Sequence, residues 1–454
     1  MVYRFWKINL IKKLNDKLSR DRHLGELLKG SIVTFFLKVL GVGFGYVLTL
    51  LIARLFGADN LGLYTISITI LNILVLLGVF GFDNALVKFI AGFNARRDMQ
   101  KTKEVFQKAY AISIPISLFL TAILFVLAEK ISLRLFNNEQ LTIFLQITSI
   151  GIVPFVLLKI NSAFFRGLKM ILQYSLFENV LISLLAVLIM LFLVMWNKSP
   201  EMIIGAYVCA LFIVYLFSYR KTYNILSRIG THRHTLTYRQ LLDVSFPMLL
   251  ASSVVLIMTW TDIIMLGVFK SEEDVGIYSV VVKLAGLTSI TLMAVNSIAA
   301  PKFSECFQNN DLQGLKHIAQ KSTKLLFFAT IPLILILTIF SEFFLSLFGE
   351  KFLIGKVALF MLLIGGTVNA LSGSVGLLMQ MTGNQKQFQN VIIFAALINI
   401  VLNYYLIPIY SIYGAAFSSM ISMVIWNLIL VYLIKKKFKF LTIYIPAFSK
   451  ASKL

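Results

Sequence analysis

Apolar stretches of bilayer-crossing length recur along almost the whole chain, and few folds are compatible with that pattern. Leu181–Val194 and Leu325–Phe340 carry no charged residue, and with their uncharged flanks they approach the roughly 20 residues a helix needs to cross a hydrocarbon core. In that core every backbone N–H and C=O must be satisfied within the protein, which leaves helices as the reading for runs this long. The composition agrees: 59% of the 454 residues are hydrophobic and 14% charged, against roughly 45–50% and 25% for soluble domains.

Windows of about 19 residues place spans near 31–56, 62–82, 105–128, 141–165, 173–196 and 201–219, then 241–269, 276–300, 325–348, 356–381, 388–408 and 413–434. The fold class expected is all-α integral membrane, with about twelve transmembrane helices in two six-helix lobes. The lobes cover 30–219 and 241–434, flanked by a basic amphipathic segment at 1–29, a basic linker at 220–240 and a basic tail at 435–454. Six residues carry the duplication: Gly62, Tyr64, Ala85, Lys88, Phe89 and Phe93 recur 214 positions later as Gly276, Tyr278, Ala299, Lys302, Phe303 and Phe307. With an even number of spans in each half, the halves form a parallel repeat about an axis along the membrane normal, a plan that usually encloses a central cavity.

The net charge of +22 does not point to nucleic acid, because the basic residues sit between apolar segments rather than on one folded face. They sort by side. Lys7, Lys12, Lys13 and Arg20 of the N-terminal segment, Arg96, Arg97 and Lys101 of the 83–104 loop, Arg220, Lys221 and Arg239 of the linker, and Lys435–Lys437 fall together. An excess of Lys and Arg marks cytoplasmic loops; both termini are therefore expected inside, in a multi-pass protein of the cytoplasmic (inner) membrane. No cleavable signal peptide is expected in the charged first 29 residues. Ile8, Ile11, Leu14 and Leu18 fit either a helix lying on an anionic leaflet or a solvated basic tail, and Asp311–Lys324 reads as a surface helix.

Ionisable groups inside spans mark function by default. Lys38 in the first span, Lys283 in the eighth and Asp262 in the seventh should face protein or water. For Arg54, Lys159 and Arg166, at span ends, snorkelling of long basic stems to the headgroups competes with lumen duty. Asp262 and Lys283, at similar depth on consecutive helices, are candidates for an ion pair. Glu178 is a candidate coupling-ion site, as is Asp262, with an interfacial pair to Lys169 the simpler reading for Glu178. Basic groups without a deep carboxylate in the first two spans favour an anionic cargo. Asn369, Ser374, Gln380, Asn399 and Asn403 offer contacts to sugars or between helices, and Pro115, Pro154, Pro247 and Pro332 are expected to kink their spans.

Catalytic constellations are missing from the sequence: no phosphate-binding Gly-rich loop, HExxH pair or serine elbow occurs. Cys209 and Cys306 have no metal spacing, and His232 with His234 is a weak metal pair. No enzyme activity, cofactor or metal is expected; transport would draw on a Na+ or H+ gradient, on the cargo's own gradient, or on a partner.

Gly30-Ser31, Ala53-Arg54-Leu55-Phe56-Gly57, Leu61-Gly62-Leu63-Tyr64, Gly81-Phe82, Phe164-Phe165-Arg166-Gly167 and Asp262 with Gly276-Ile277-Tyr278 resemble, in that order and over essentially the whole chain, the polysaccharide-transporter (Wzx-type) branch of the multidrug/oligosaccharidyl-lipid/polysaccharide exporter superfamily. The resemblance implies a V-shaped pair of lobes around a cationic cavity that flips polyprenyl-pyrophosphate-linked oligosaccharide for surface polysaccharide biosynthesis. Lys38, Arg54 and Lys283 would then be lumen residues, and polymerase or glycosyltransferase partners would be expected beside membrane lipids. Two other readings stay open: a cation-coupled drug or metabolite exporter, and a non-transporting scaffold of a glycan-synthesis complex.

Overall fold

The computed structural model describes residues 22–196, 198–230 and 236–444; the amphipathic pattern at Ile8–Leu18 and the His232/His234 pair lie outside them. The described elements are helical and supply twelve spans. Arg22–Val79 contains the first two, parted at Gly57, whose φ of +86° an L side chain rarely adopts. Met99–Leu135 is the third. The fourth is a pair, Gln140–Ile150 and Ile152–Gly167, bent by 42°, with Pro154 in the opening turn of its second arm, where a missing N–H is harmless. Ile171–Val194 and Glu201–Leu226 complete the first lobe.

The second lobe repeats the plan with Tyr238–Phe269, Glu272–Gln308, Leu312–Ile339, Lys356–Ser372 and Gln385–Phe438, the last parted into two spans at Ser411. Polar caps set several starts. Thr237 and Gln240 form a reciprocal capping box. Ser271 caps the eighth span ahead of Glu272, Glu273 and Asp274, whose negative charge suits a helix N-terminus.

Burial follows the logic of lipid rather than water. Phe192, Trp196, Ile339 and Ile409 are exposed, while Ser67, Ser113, Asn161, Asn399 and Asn427 are fully buried between helices, where small and polar side chains let backbones approach and bond. The linker is strapped to the first lobe: Lys103 Nζ donates to the Ile229 carbonyl at 2.6 Å, Glu104 accepts from the Leu236 N–H at 2.9 Å, and Lys108 donates to the Leu236 carbonyl.

Three expectations change. The 83–104 loop contains a helix, Phe82–Ala95, that buries Phe82, Ala85, Leu86 and Ile90. Asp311–Lys324 is no separate surface helix: Asp311 caps Leu312–Ile339, which continues unbroken into the ninth span. The tenth span stops at Ser372 and resumes at Val375.

Candidate functional site

A helical face repeats every three to four residues, so Lys38, Gly45 and Thr49 lie on one side of the first span. Thr49 accepts a hydrogen bond from Lys283 of the other lobe, and Tyr46 donates to the Lys283 carbonyl. Toward the basic end of the same faces contact is lost. Lys38 is exposed, and Gly45 and Gly286 have open space where a Cβ would sit. On the eighth span Ser297 is also exposed. Between the two helices the Thr49–Lys283 contact thus gives way, toward the basic side, to open space at Gly45 and Gly286 and to an exposed Lys38.

On the side opposite the basic loops the lobes are in backbone contact. A Cβ at Gly62 would lie 1.8 Å from the Glu272 carbonyl oxygen, and one at Gly276 would lie 2.0 Å from that of Ala58. Arg54 reaches across, Nε to the Leu347 carbonyl at 2.5 Å and a terminal nitrogen to that of Ser346 at 2.7 Å. Lys351 contacts Glu273 at 2.7 Å and Asp59 at 3.9 Å. The Glu273 hydrogen bond holds the Lys351 ammonium above its ordinary value, so this latch keeps its positive partner throughout the neutral range. On the basic side the lobes touch along one flank, where Gly81, at φ +76°, abuts the Ser245 carbonyl and the Phe80 and Phe246 rings stand 6.0 Å apart.

Within the first lobe, the second, fourth and fifth spans surround a cavity of about 210 Å³ lined by Asp83, Lys159, Arg166, Tyr174 and Glu178, with Trp260 of the seventh span at its edge. Glu178 sits in a π-helical turn, Leu176–Val180, a one-residue bulge of the kind often found at functional sites. It pairs with Lys159, 19 positions earlier, and not with Lys169. Arg166 donates to the Asp83 carbonyl at 3.0 Å and Asn84 Oδ1 at 2.9 Å, and its guanidinium lies 5.5 Å from the Tyr174 ring centre. Two cations and two carboxylates therefore share this cavity.

Asp262 is buried and does not pair with Lys283. Its carboxylate accepts from Tyr278 Oη at 2.8 Å, Asn399 Nδ2 at 3.2 Å, Asn403 Nδ2 at 2.6 Å and the Ser419 hydroxyl. Asn399 and Asn403, one helical turn apart, share a face of the eleventh span, and Asn403 Oδ1 has no hydrogen-bond partner. Both amides turn their nitrogens to Asp262, and with Tyr278 and Ser419 they surround the carboxylate with four donors. Sequence reasoning named Asn399 and Asn403 but not their convergence on Asp262, and it missed Ser419. The polysaccharide biosynthesis protein model matches residues 27–307 of the chain. The chain belongs to this family.

A second family model, MatE, matches residues 247–405. Among relatives of this polysaccharide biosynthesis protein, stage V sporulation protein B of Bacillus subtilis is 26% identical over 235 residues, 48% of this chain and 45% of that protein. The probable low-salt glycan biosynthesis flippase Agl15 of Haloferax volcanii is 23% identical over 165 residues, 36% of this chain and 35% of that one. The chain thus spans less than half the length of the curated relatives it matches.

Similar solved structures include an inward-facing multidrug resistance MATE family transporter of the MOP superfamily, with a TM-score of 0.74, 13% identity, and coverage of 93% of this chain and 99% of that one. The lipid II flippase MurJ in its inward closed conformation has a TM-score of 0.71, 18% identity, and coverage of 91% and 89%. At such identities the likeness establishes the fold, the two-lobed twelve-helix MOP architecture, in a multi-pass membrane protein. Where these proteins' names state an activity, it is transport or flipping.

Proposed function

We propose that this polysaccharide biosynthesis protein is a flippase that carries polyprenyl-pyrophosphate-linked oligosaccharide from the cytoplasmic to the outer leaflet of the cytoplasmic membrane by alternating access. One observation carries the reading: between the first and eighth spans the Thr49–Lys283 contact gives way, toward the basic side, to open space at Gly45 and Gly286 and to an exposed Lys38. A cargo with a polar head and a polyprenyl tail needs a polar cleft that is slit open to lipid, so that the head enters while the tail stays in the bilayer. Lys38 on the wall and Lys283 at the closed end would attract a pyrophosphate in a low-dielectric cleft, with Arg166 and Lys159 deeper in the first lobe. The Lys and Arg excess puts the basic side, and both termini, in the cytoplasm. Release would require the Gly62–Gly276 contact, the Arg54 bonds and the Lys351 latch to part while the basic side closes. Asp262, with Asn399, Asn403 and Ser419, is the site assigned to a coupling Na+ or H+.

Complementation tests the lysines. In a deletion strain, Lys38→Ala and Lys283→Ala are expected to reach the membrane at wild-type abundance while glycan export falls roughly ten- to hundredfold each, the loss from removing one charge-assisted bond to a phosphate. Normal export at normal abundance would remove both from the pathway. One observation favours a second reading, a cation-coupled exporter: Asp83 and Glu178 line the first-lobe cavity. That reading requires Glu178→Gln to abolish efflux of cationic dyes, and it fails if deletion of the gene leaves dye efflux unchanged.

A further inference from the structure

The eighth and ninth spans belong to a packed pair of helices, Glu272–Gln308 and Leu312–Ile339, joined on the basic side by the turn 309–311. A cavity of about 350 Å³ lies between them, lined by these two helices alone. Its floor is buried, at Val295, Ala299 and Ser322. Its rim is exposed, and the chain direction grades that rim by depth. The eighth helix descends from Ile298 to Lys302 toward the basic loops, and the ninth climbs from His317 and Lys321 to Leu325 away from them. The apolar windows close at 300 and reopen at 325. Lys302, His317 and Lys321 therefore stand at headgroup level, and Ile298 and Leu325 stand at the edge of the acyl layer, about 6 Å further in at ~1.5 Å per residue.

Among the described residues none of the lining is acidic, and neither Lys302 nor Lys321 forms an ion pair with a carboxylate. His317 has a donor N–H in either protonation state. Snorkelling alone would scatter basic stems around the span ends; here three basic side chains share one groove whose inner end is apolar and exposed. A soluble anion would use the cationic end and leave Ile298 and Leu325 bare. A phospholipid uses both ends, and a basic pocket between spans at headgroup level suits an anionic head group.

We infer that this groove binds an anionic membrane phospholipid, its phosphate held by Lys302 and Lys321 with His317 donating, its acyl chains against Ile298 and Leu325. The site requires only that the chain spans a membrane and stands apart from the flippase reading: the lipid resides in the groove and is not cargo. It is held by the helix that also carries Lys283 and Gly276, the residues that meet the first lobe.

Native mass spectrometry of the full-length, delipidated protein, titrated with dioleoylphosphatidylglycerol or dioleoylphosphatidylcholine, tests the assignment. Phosphatidylglycerol is expected to fill one saturable site more tightly than phosphatidylcholine. Half-saturation should rise about fivefold in Lys302→Gln and in Lys321→Gln and about 25-fold in the double variant, the loss expected for one basic residue each at a charged lipid surface. Lys302→Arg keeps the charge and is expected to retain binding. Lys316→Gln, exposed near the start of the ninth helix but outside the lining, is expected to change nothing. All three lysines are exposed, so these substitutions leave the packed core untouched. Equal affinity for the two lipids, unchanged half-saturation in the double variant, or the same loss in Lys316→Gln would reduce the groove to ordinary annular contact and overturn the site. Displacement of the bound lipid by equimolar inorganic phosphate or by polyprenyl pyrophosphate would overturn it too, giving the groove to a free anion or to the cargo.

Discussion

Replacing Asp262 with Asn is expected to leave the protein folded and in the membrane while removing the response of transport to an ion gradient, a fall of about 5- to 150-fold, the span covered by ordinary coupling free energies of ~1–3 kcal/mol. The carboxylate is the one formal charge in a cluster whose other members, Tyr278, Asn399, Asn403 and Ser419, are neutral and donate to it. In that state the donors compensate the charge internally. A bound cation would take over the role if the amides turned their oxygens inward, and the two arrangements would differ in how the seventh, eighth, eleventh and twelfth spans are tied together. Asn at position 262 keeps the volume and one acceptor but has no charge for an ion to neutralise. Asp262→Leu is a different experiment: it strands four donors and is expected to lower stability by about 2–4 kcal/mol, at roughly 0.6–1 kcal/mol per interhelical bond. Transport in proteoliposomes under imposed Na+ or H+ gradients separates the two variants, and a full gradient response in Asp262→Asn would remove the site from coupling.

Gly62→Ala and Gly276→Ala are expected to force the lobes apart on the side opposite the basic loops. The atoms in the way are backbone, the Glu272 and Ala58 carbonyl oxygens at 1.8 and 2.0 Å from the added carbons, so no side chain can swing clear. Overpacking of this kind costs about 1–3 kcal/mol, enough to move a closed-to-open ratio by about 5- to 150-fold. With Cys209 and Cys306 replaced by Ser, a Gly45→Cys reporter should react with a membrane-impermeant thiol reagent from the basic side in the parent and increasingly from the opposite side in the alanine variants. Unchanged sidedness would mean that the glycine contact does not seal the pathway.

Hydropathy made the twelve spans legible because each must bury its own backbone in lipid, and the offset of 214 made the duplication legible because the same turns and contacts recur: Gly62 and Gly276, paired by that offset, meet in space. The break at Gly373–Ser374 was invisible for a physical reason. A window average reads the apolar content of 356–381 and is blind to one residue at φ +83°. The Asp262–Lys283 pairing failed because depth along neighbouring helices does not decide contact; azimuth does, and the two side chains point to different partners, one into its own lobe and one across to Thr49. Glu178, which lies in a π-helical turn that no local pattern announces, pairs with Lys159 and not with Lys169. Ser419 lies 157 positions from Asp262, a separation that only the assembled lobe closes.

The most direct test of the account is flipping itself: purified wild-type protein in liposomes carrying a polyprenyl-pyrophosphate-linked oligosaccharide on one leaflet, with arrival on the other read by a membrane-impermeant glycosidase. Protein-dependent transfer is expected, reduced about ten- to hundredfold in Lys38→Ala and accelerated by an ion gradient of the correct sign, an acceleration that Asp262→Asn removes. Transfer no faster than in protein-free liposomes, from protein shown to be folded and inserted in both orientations, would contradict it.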